Sequence, residues 1–101
     1  MIRNVVLGRL RADGDRDADS RALDHALAAL AALPFEGLLD VHVGRDLGLR
    51  EGGWDFAITN DWLDADAYRV YDLDPEHNRL RREEFARVCD HIVRVQIPLG
   101  G

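Results

Sequence analysis

The chain of 101 residues contains no lysine, and only one serine, one threonine and one cysteine, at Ser20, Thr59 and Cys89. The missing lysine removes a Schiff-base amine and a phosphate-loop lysine from consideration. With so few hydroxyls and thiols, covalent catalysis has few candidate nucleophiles. Any chemistry must rest mainly on His, Tyr, Asp, Glu or Asn. A single cysteine permits no intrachain disulfide, so nothing points to an oxidising compartment. All 13 basic residues are arginines, and against 19 acidic residues they leave a net charge of −6. That balance argues against a nucleic-acid backbone as main partner. No apolar run approaches the roughly 18 residues needed to span a bilayer. Arg3 and Arg9 interrupt the apolar opening, unlike the continuous core of a signal peptide. A cytoplasmic protein with no nucleic-acid and no membrane partner is expected.

Of what is present, 47% is hydrophobic, ample for the core of one domain over residues 1–101. Residues 2–10 are short, apolar and β-branched in the middle, and read as a strand. An Asp-rich loop follows, in which Asp17 or Asp19 can cap a helix from Ser20 to Leu33. Leu23, Leu27 and Leu30 form the inward stripe of that helix, and Pro34 stops it. Residues 38–45 alternate as a half-buried strand. A third strand is expected from Trp54 to Trp62, with Trp54, Phe56, Ile58, Asn60 and Trp62 on one face. Asp64 caps a short helix ending near Asp72, with Ala67, Val70 and Tyr71 inward. Asp74-Pro75 starts another, running to about Cys89 with Leu80, Phe85 and Val88 inside. The last strand covers about 91–99, with Val93, Val95 and Ile97 alternating with Arg94 and Gln96.

The order β-α-β-β-α-β predicts a ferredoxin-like α+β fold, a four-stranded antiparallel sheet with helices on one face. The other sheet face would carry Val5, Leu7, Ala57 and Ile92. It is too apolar to be fully solvated, so a second copy of the chain is expected to cover it.

Several segments resemble the stress-responsive dimeric α/β-barrel (Dabb) family. They are Met1-Ile2-Arg3-Asn4-Val5-Val6-Leu7, Val43-Gly44-Arg45-Asp46, Trp54-Asp55-Phe56-Ala57, and Tyr71 followed by Asp74-Pro75-Glu76-His77. The resemblance implies a homodimer with two sheets packed face to face, and a stress-associated role. A distantly similar member, the plant polyketide cyclase olivetolic acid cyclase, closes a ring by aldol condensation with a His/Tyr pair. His77 and Tyr71 stand at the matching positions. Asn4 and Phe56 replace histidines of that cyclase, Val95 replaces a carboxylate, and Asp74 replaces the histidine common before the proline.

The residues support this picture on their own chemistry. His77 falls at the third position of its helix, pointing toward the sheet. The helix dipole there disfavours the imidazolium, so a neutral general base is expected, although Asp74 and Glu76 pull the other way. Tyr71 points into the same space and could hydrogen-bond the imidazole. Asn4 and Asn60 share the inward strand faces and need partners, or else line a wet pocket. Val6, Phe56, Ile58 and Val93 would supply its apolar walls, suiting a small, partly apolar organic molecule. No cofactor motif is present, and Asp24-His25, His42 and Asp90-His91 make no metal-binding spacing. The arginines at 79, 81, 82 and 87, interleaved with glutamates, read as a solvated helix face. The competing readings are a non-enzymatic interaction protein with a packed core, and a cofactor-free monooxygenase of similar fold.

Overall fold

The structure, a computed structural model, describes residues 1–100, and Gly101 lies outside them. Strand β1 spans Ile2–Leu10, helix α1 Arg16–Ala31, β2 Leu38–Arg45, β3 Phe56–Trp62, α2 Ala65–Leu73 and β4 Cys89–Pro98. Between α2 and β4, helix α3 (Pro75–Arg79) continues as a π-helical segment, Leu80–Phe85, and ends as a short α-helical turn, α4 (Ala86–Val88). The sheet order is β2-β3-β1-β4, with every neighbouring pair antiparallel. This is the ferredoxin-like arrangement expected from the element order.

The boundaries of β1 and β2 agree with the alternation in the sequence. Helix α1 begins one turn earlier than expected, because Asp15 is its cap and accepts the Ala18 N–H at 3.1 Å. Neither Asp17 nor Asp19 fills that role. Asp19 turns into the core beside Leu23, where Arg11 grips both carboxylate oxygens at 2.9 and 3.2 Å. That guanidinium holds the Asp19 carboxyl below its usual range.

Strand β3 starts at Phe56 and not at Trp54. The Asp55 carboxylate accepts the Leu10 N–H at 2.8 Å, in place of a ladder bond beyond the last β1–β3 pair, Gly8–Phe56. Trp54 is thereby turned out of the strand line, and its ring lies 4.3 Å from the Arg9 guanidinium.

In α2, Ala67, Tyr68 and Tyr71 pack inward, whereas Val70, expected there, is 64% exposed. Asp64 caps the helix through Ala67 N at 2.9 Å, which aligns positions 67, 68 and 71 with the core. Asp74 is extended, as a residue before proline prefers, and separates α2 from α3.

The π-helical segment has a clear packing reason. At roughly 100° per residue, an α-helix would place Leu80 and Phe85 about 140° apart. Both are buried. A turn bonded to the fifth residue brings them onto one side, and the Ala86 N–H duly bonds the Arg81 carbonyl. Phe85 therefore completes the inner stripe with His77, Leu80 and Val88.

The core lies between the helices and one sheet face. It contains Val6, Leu10, Leu23, Leu27, Leu30, Phe56, Ile58, Trp62, Tyr71, Leu80, Phe85 and Val88. Within it, Phe56 packs over Gly8, its direct partner across β1 and β3, and reaches Phe85 at a centroid distance of 5.9 Å. A methyl at position 8 would enter the Phe56 ring. Gly8→Ala is therefore expected to destabilise the fold by about 1–3 kcal/mol through overpacking. Urea unfolding of the two proteins checks this, and an unchanged midpoint would contradict it.

Candidate functional site

Strand alternation decides which side chains reach the space under the helices. On β1 these are Asn4, Val6 and Gly8. Their partners across the sheet share that face, namely Asn60, Ile58 and Phe56 on β3, and Gln96, Arg94 and Ile92 on β4. Above them stand Tyr68, Tyr71 and His77, together with Phe85 and Leu30.

A cavity of about 360 Å³ opens between these layers. Asn4, Val6, Phe56, Ile58, Tyr71 and His77 line it, as expected from the sequence. Val93 and Asn60, also expected there, do not. Val93 pairs with Leu7 on the opposite sheet face and is 46% exposed there. Ile92, assigned above to that open face, is opposite Gly8 and belongs to the cavity wall. The cause is one parity error: β4 turns its valines outward and its polar residues inward.

Asn60 lies behind the lining, within a chain of amides. Gln96 Nε2 donates to Asn4 Oδ1 at 2.9 Å, and Asn4 Nδ2 donates to Asn60 Oδ1 at 3.0 Å. Trp62 Nε1 donates to the same Asn60 oxygen at 2.8 Å. The two asparagines thus satisfy each other at the base of the cavity.

Tyr71 and His77 meet face to face, with ring centroids 4.0 Å apart and planes inclined by 28°. Stacking replaces the expected hydroxyl-to-imidazole hydrogen bond. Tyr71 also packs against Trp62 and Phe35, with centroids at 4.9 and 5.4 Å. This aromatic cluster fixes the imidazole plane. The His77 main-chain N–H is held by the Asp74 carboxylate at 2.9 Å, so both ring and backbone are positioned. Buried Nδ1 of His77 has no hydrogen-bond partner among the described residues.

Burial dominates the electrostatics. It pushes the Tyr71 hydroxyl up to about 12, with the nearby Asn60 side chain pulling the other way, so the phenol stays protonated. Burial also lowers the His77 pKa, assisted by the Arg81 charge. Asp72, Asp74 and the Tyr71 carbonyl oppose this without reversing it. The imidazole is therefore neutral at pH 7, with desolvation and not the helix dipole as the main cause.

The sequence reading missed the solvent end of the cavity. Arg81, Arg94, Asp72 and Tyr68 line it there. By sequence Arg81 falls among the solvated arginines, of which Arg79 does pair on the surface with Glu76 and Glu83, at 2.6 and 3.3 Å. The period of five from Leu80 to Phe85 could have exposed the altered helix phase, and with it the placement of Arg81.

A second, shallower concavity of about 800 Å³ lies on the open face, beside the β2–β3 loop. Leu47 and Leu49 at its edge are 83% and 87% exposed. Among the described residues, no helix is long and apolar enough to cross a membrane.

Comparison with known proteins agrees with this architecture. A dimeric ferredoxin-like protein of unknown function from Thermobifida fusca is 32% identical, with 97% of this chain and 90% of that chain aligned and a TM-score of 0.79. A Dabb family protein with a ferredoxin-like fold from Mesorhizobium loti is 23% identical over 98% of this chain and 97% of that one, with a TM-score of 0.72. A hydroxynitrile lyase from Passiflora edulis is 16% identical over 98% and 93%, with a TM-score of 0.73. No curated protein matches the chain. The sequence profile of the Stress responsive A/B Barrel Domain (Dabb) matches residues 2–98, and the chain belongs to that family.

Proposed function

We propose that the protein is a homodimer in which each protomer binds a small, partly apolar organic molecule between helices and sheet, where His77 acts as a general base without a cofactor. The carrying observation is the largely buried, neutral imidazole of His77 in the cavity lining, where Nδ1 is enclosed and Nε2 is the ring nitrogen left accessible. A satisfied core histidine would have its ring nitrogens bonded, and a packed core would leave no such space. At about 360 Å³ the cavity lies at the small end of the 300–1,000 Å³ typical of ligand sites.

In this reading the ligand's acidic C–H or O–H faces Nε2 of the imidazole. His77 takes the proton, and the resulting enolate or alkoxide is stabilised by hydrogen-bond donors nearby. Tyr71, protonated to about 12, holds the ring by stacking and cannot serve as base. Asn4 lines the cavity, and its Nδ2 retains a second hydrogen beyond the one given to Asn60. Asn60 acts indirectly, by orienting Asn4. An aldol-type cyclisation or an isomerisation fits such a site. The Passiflora edulis neighbour, a hydroxynitrile lyase, is an enzyme on the same fold.

The dimer reading is supported by the open face. Val5 and Leu7 on β1 lie beside Val93, Val95 and Ile97 on β4, the latter three 42–53% exposed. The chain exposes 6471 Å², whereas a monomeric protein of its mass exposes about 5,800 Å². The excess of about 700 Å² approaches the share of one partner in a standard interface, about 800 Å². The Thermobifida fusca relative is described as dimeric.

Three outcomes are expected. In D2O, the wild-type protein should accelerate α-proton exchange of acetophenone, followed by proton NMR. His77→Gln should slow this by about a hundredfold or more, the ordinary contribution of a positioned base. Equal exchange rates would remove His77 from that role.

The second concerns pH. Because folding lowers the His77 pKa below 6.5, the unfolded chain binds that proton more readily. Its contribution is thus complete above pH 6.5 and is lost as pH falls through the depressed folded value. Between pH 7.5 and 5, wild type should lose more stability in urea than His77→Gln does. Parallel pH profiles would contradict the depressed pKa.

Third, sedimentation velocity at micromolar concentration should give a species of twice 11.4 kDa. Val95→Asp should convert it to the monomer, and a wild-type monomer would refute the interface.

A further inference from the structure

We propose that the ligand of the cavity is an organic monocarboxylate, its carboxylate gripped by Arg81 and Arg94 and its apolar body lying on Val6, Ile58 and Phe85. This rests on the ligand-binding reading above and names the chemical class that fits it.

The argument begins with how the chain uses its arginines. Arg3, Arg11, Arg16, Arg45, Arg69 and Arg79 each lie within ion-pair distance of a carboxylate. With 19 acidic residues to 13 arginines, carboxylates are plentiful. The other seven make no ion pair among the described residues; of these, the Arg94 side chain makes no hydrogen bond and the Arg81 side chain donates only to the Asn78 side-chain oxygen, at 3.2 Å. Both line the cavity. Two arginines free of carboxylates at one concave site, in a chain of net charge −6, form a local reversal of sign.

Their placement follows from the backbone. Arg94 is opposite Val6, so strand parity turns it under the helices and not onto the open face. Arg81 belongs to the π-helical segment, whose altered phase brings it to the cavity with Phe85. Such segments recur at functional sites. The two guanidinium groups approach from different layers, one from the sheet and one from the helices. That arrangement can clamp a planar carboxylate, for which the guanidinium fork is suited.

The charge count narrows the ligand further. Asp72 also lines the cavity, so with His77 neutral the lining charges sum to one positive unit. A monoanion neutralises it, whereas a dianion such as a phosphomonoester would leave excess negative charge beside Asp72. The charge of Arg94 reaches the hydroxyls of Tyr71 and Tyr68, and that of Arg81 reaches His77. A carboxylate held there would therefore place the rest of the molecule against the stacked Tyr71–His77 pair. The inner walls, Val6, Ile58, Phe56 and Phe85, offer only apolar contact to that body.

The test uses the intact protein and paired probes. Benzoate, 4-hydroxybenzoate and phenylacetate are titrated calorimetrically, each against its primary amide, which has the same shape without the charge. The acids should bind about tenfold or more tightly than their amides, in keeping with charge-assisted hydrogen bonds. Arg81→Gln combined with Arg94→Gln should bring the acids down to the level of the amides and leave the amides unchanged. Both side chains are exposed, so the fold should survive, and thermal unfolding verifies it. Arg82→Gln with Arg87→Gln removes the same charge outside the cavity, and should preserve the preference. Equal binding of acids and amides by the wild type would overturn the carboxylate assignment while leaving the cavity reading intact. So would a preference that survives the cavity double variant or disappears in the control. Failure of every acid and every amide to bind would overturn both.

Discussion

A line of amides crosses the sheet, from Gln96 through Asn4 to Asn60, where Trp62 joins it. It binds three strands in one register, because Gln96 and Asn60 are the direct partners of Asn4 on either side. Buried amides are costly when unpaired, so a shift of either neighbouring strand would break these bonds without replacement. A shift by one residue would also exchange the two faces of that strand. On β4 it would bring Val93 and Val95 under the helices and throw Arg94 onto the open face. The cavity, its charged end and the apolar outer face all depend on the register that this amide line holds.

The helix layer contributes rigidity at the same place. Asp74 ends one helix and caps the next, and its carboxylate holds the His77 N–H. The Tyr71 ring lies on the imidazole and is itself wedged between Trp62 and Phe35. A histidine held on its backbone side and on one ring face keeps its orientation with few hydrogen bonds. That leaves Nε2 free for something other than structure. Desolvation then decides its protonation, and a neutral ring follows from the packing.

Strand alternation made much of the fold legible before any coordinates. Residues 38–45 and 2–10 show the period of a strand directly, and Asp74-Pro75 marks a helix start by local chemistry alone. The near-miss at α1 has a local cause too, since Asp15, Asp17 and Asp19 are equivalent caps by type. Only the salt bridge from Arg11 shows that Asp19 is needed in the core. For β3, the Trp54 boundary depended on the Asp55 carboxylate capturing Leu10, a contact 45 residues away in sequence. The misassignment on β4 is more instructive. Its valines and isoleucine alternate with polar residues, and alternation fixes two faces without saying which is inward. In a sheet covered on one side by its own chain, the apolar face would be assigned to the core. Here it turns outward, and the register that does so sets Gln96 opposite Asn4, where the two side chains bond.

The sequence alone determined the class of chemistry. Without lysine and with so few hydroxyls and thiols, covalent catalysis was left few candidates, and His77, Tyr71, Asn4 and Asn60 were identifiable from element phase. What tertiary structure decided was how these groups are used. Tyr71 stacks on His77 because Trp62 and Phe35 confine its ring, and the asparagines are spent on each other because they are direct cross-strand partners. Arg81 and Arg94 reach the cavity through a π-helical phase change and a strand register, both set by packing between distant segments. Such placements follow from long-range contacts, which local periodicity does not encode.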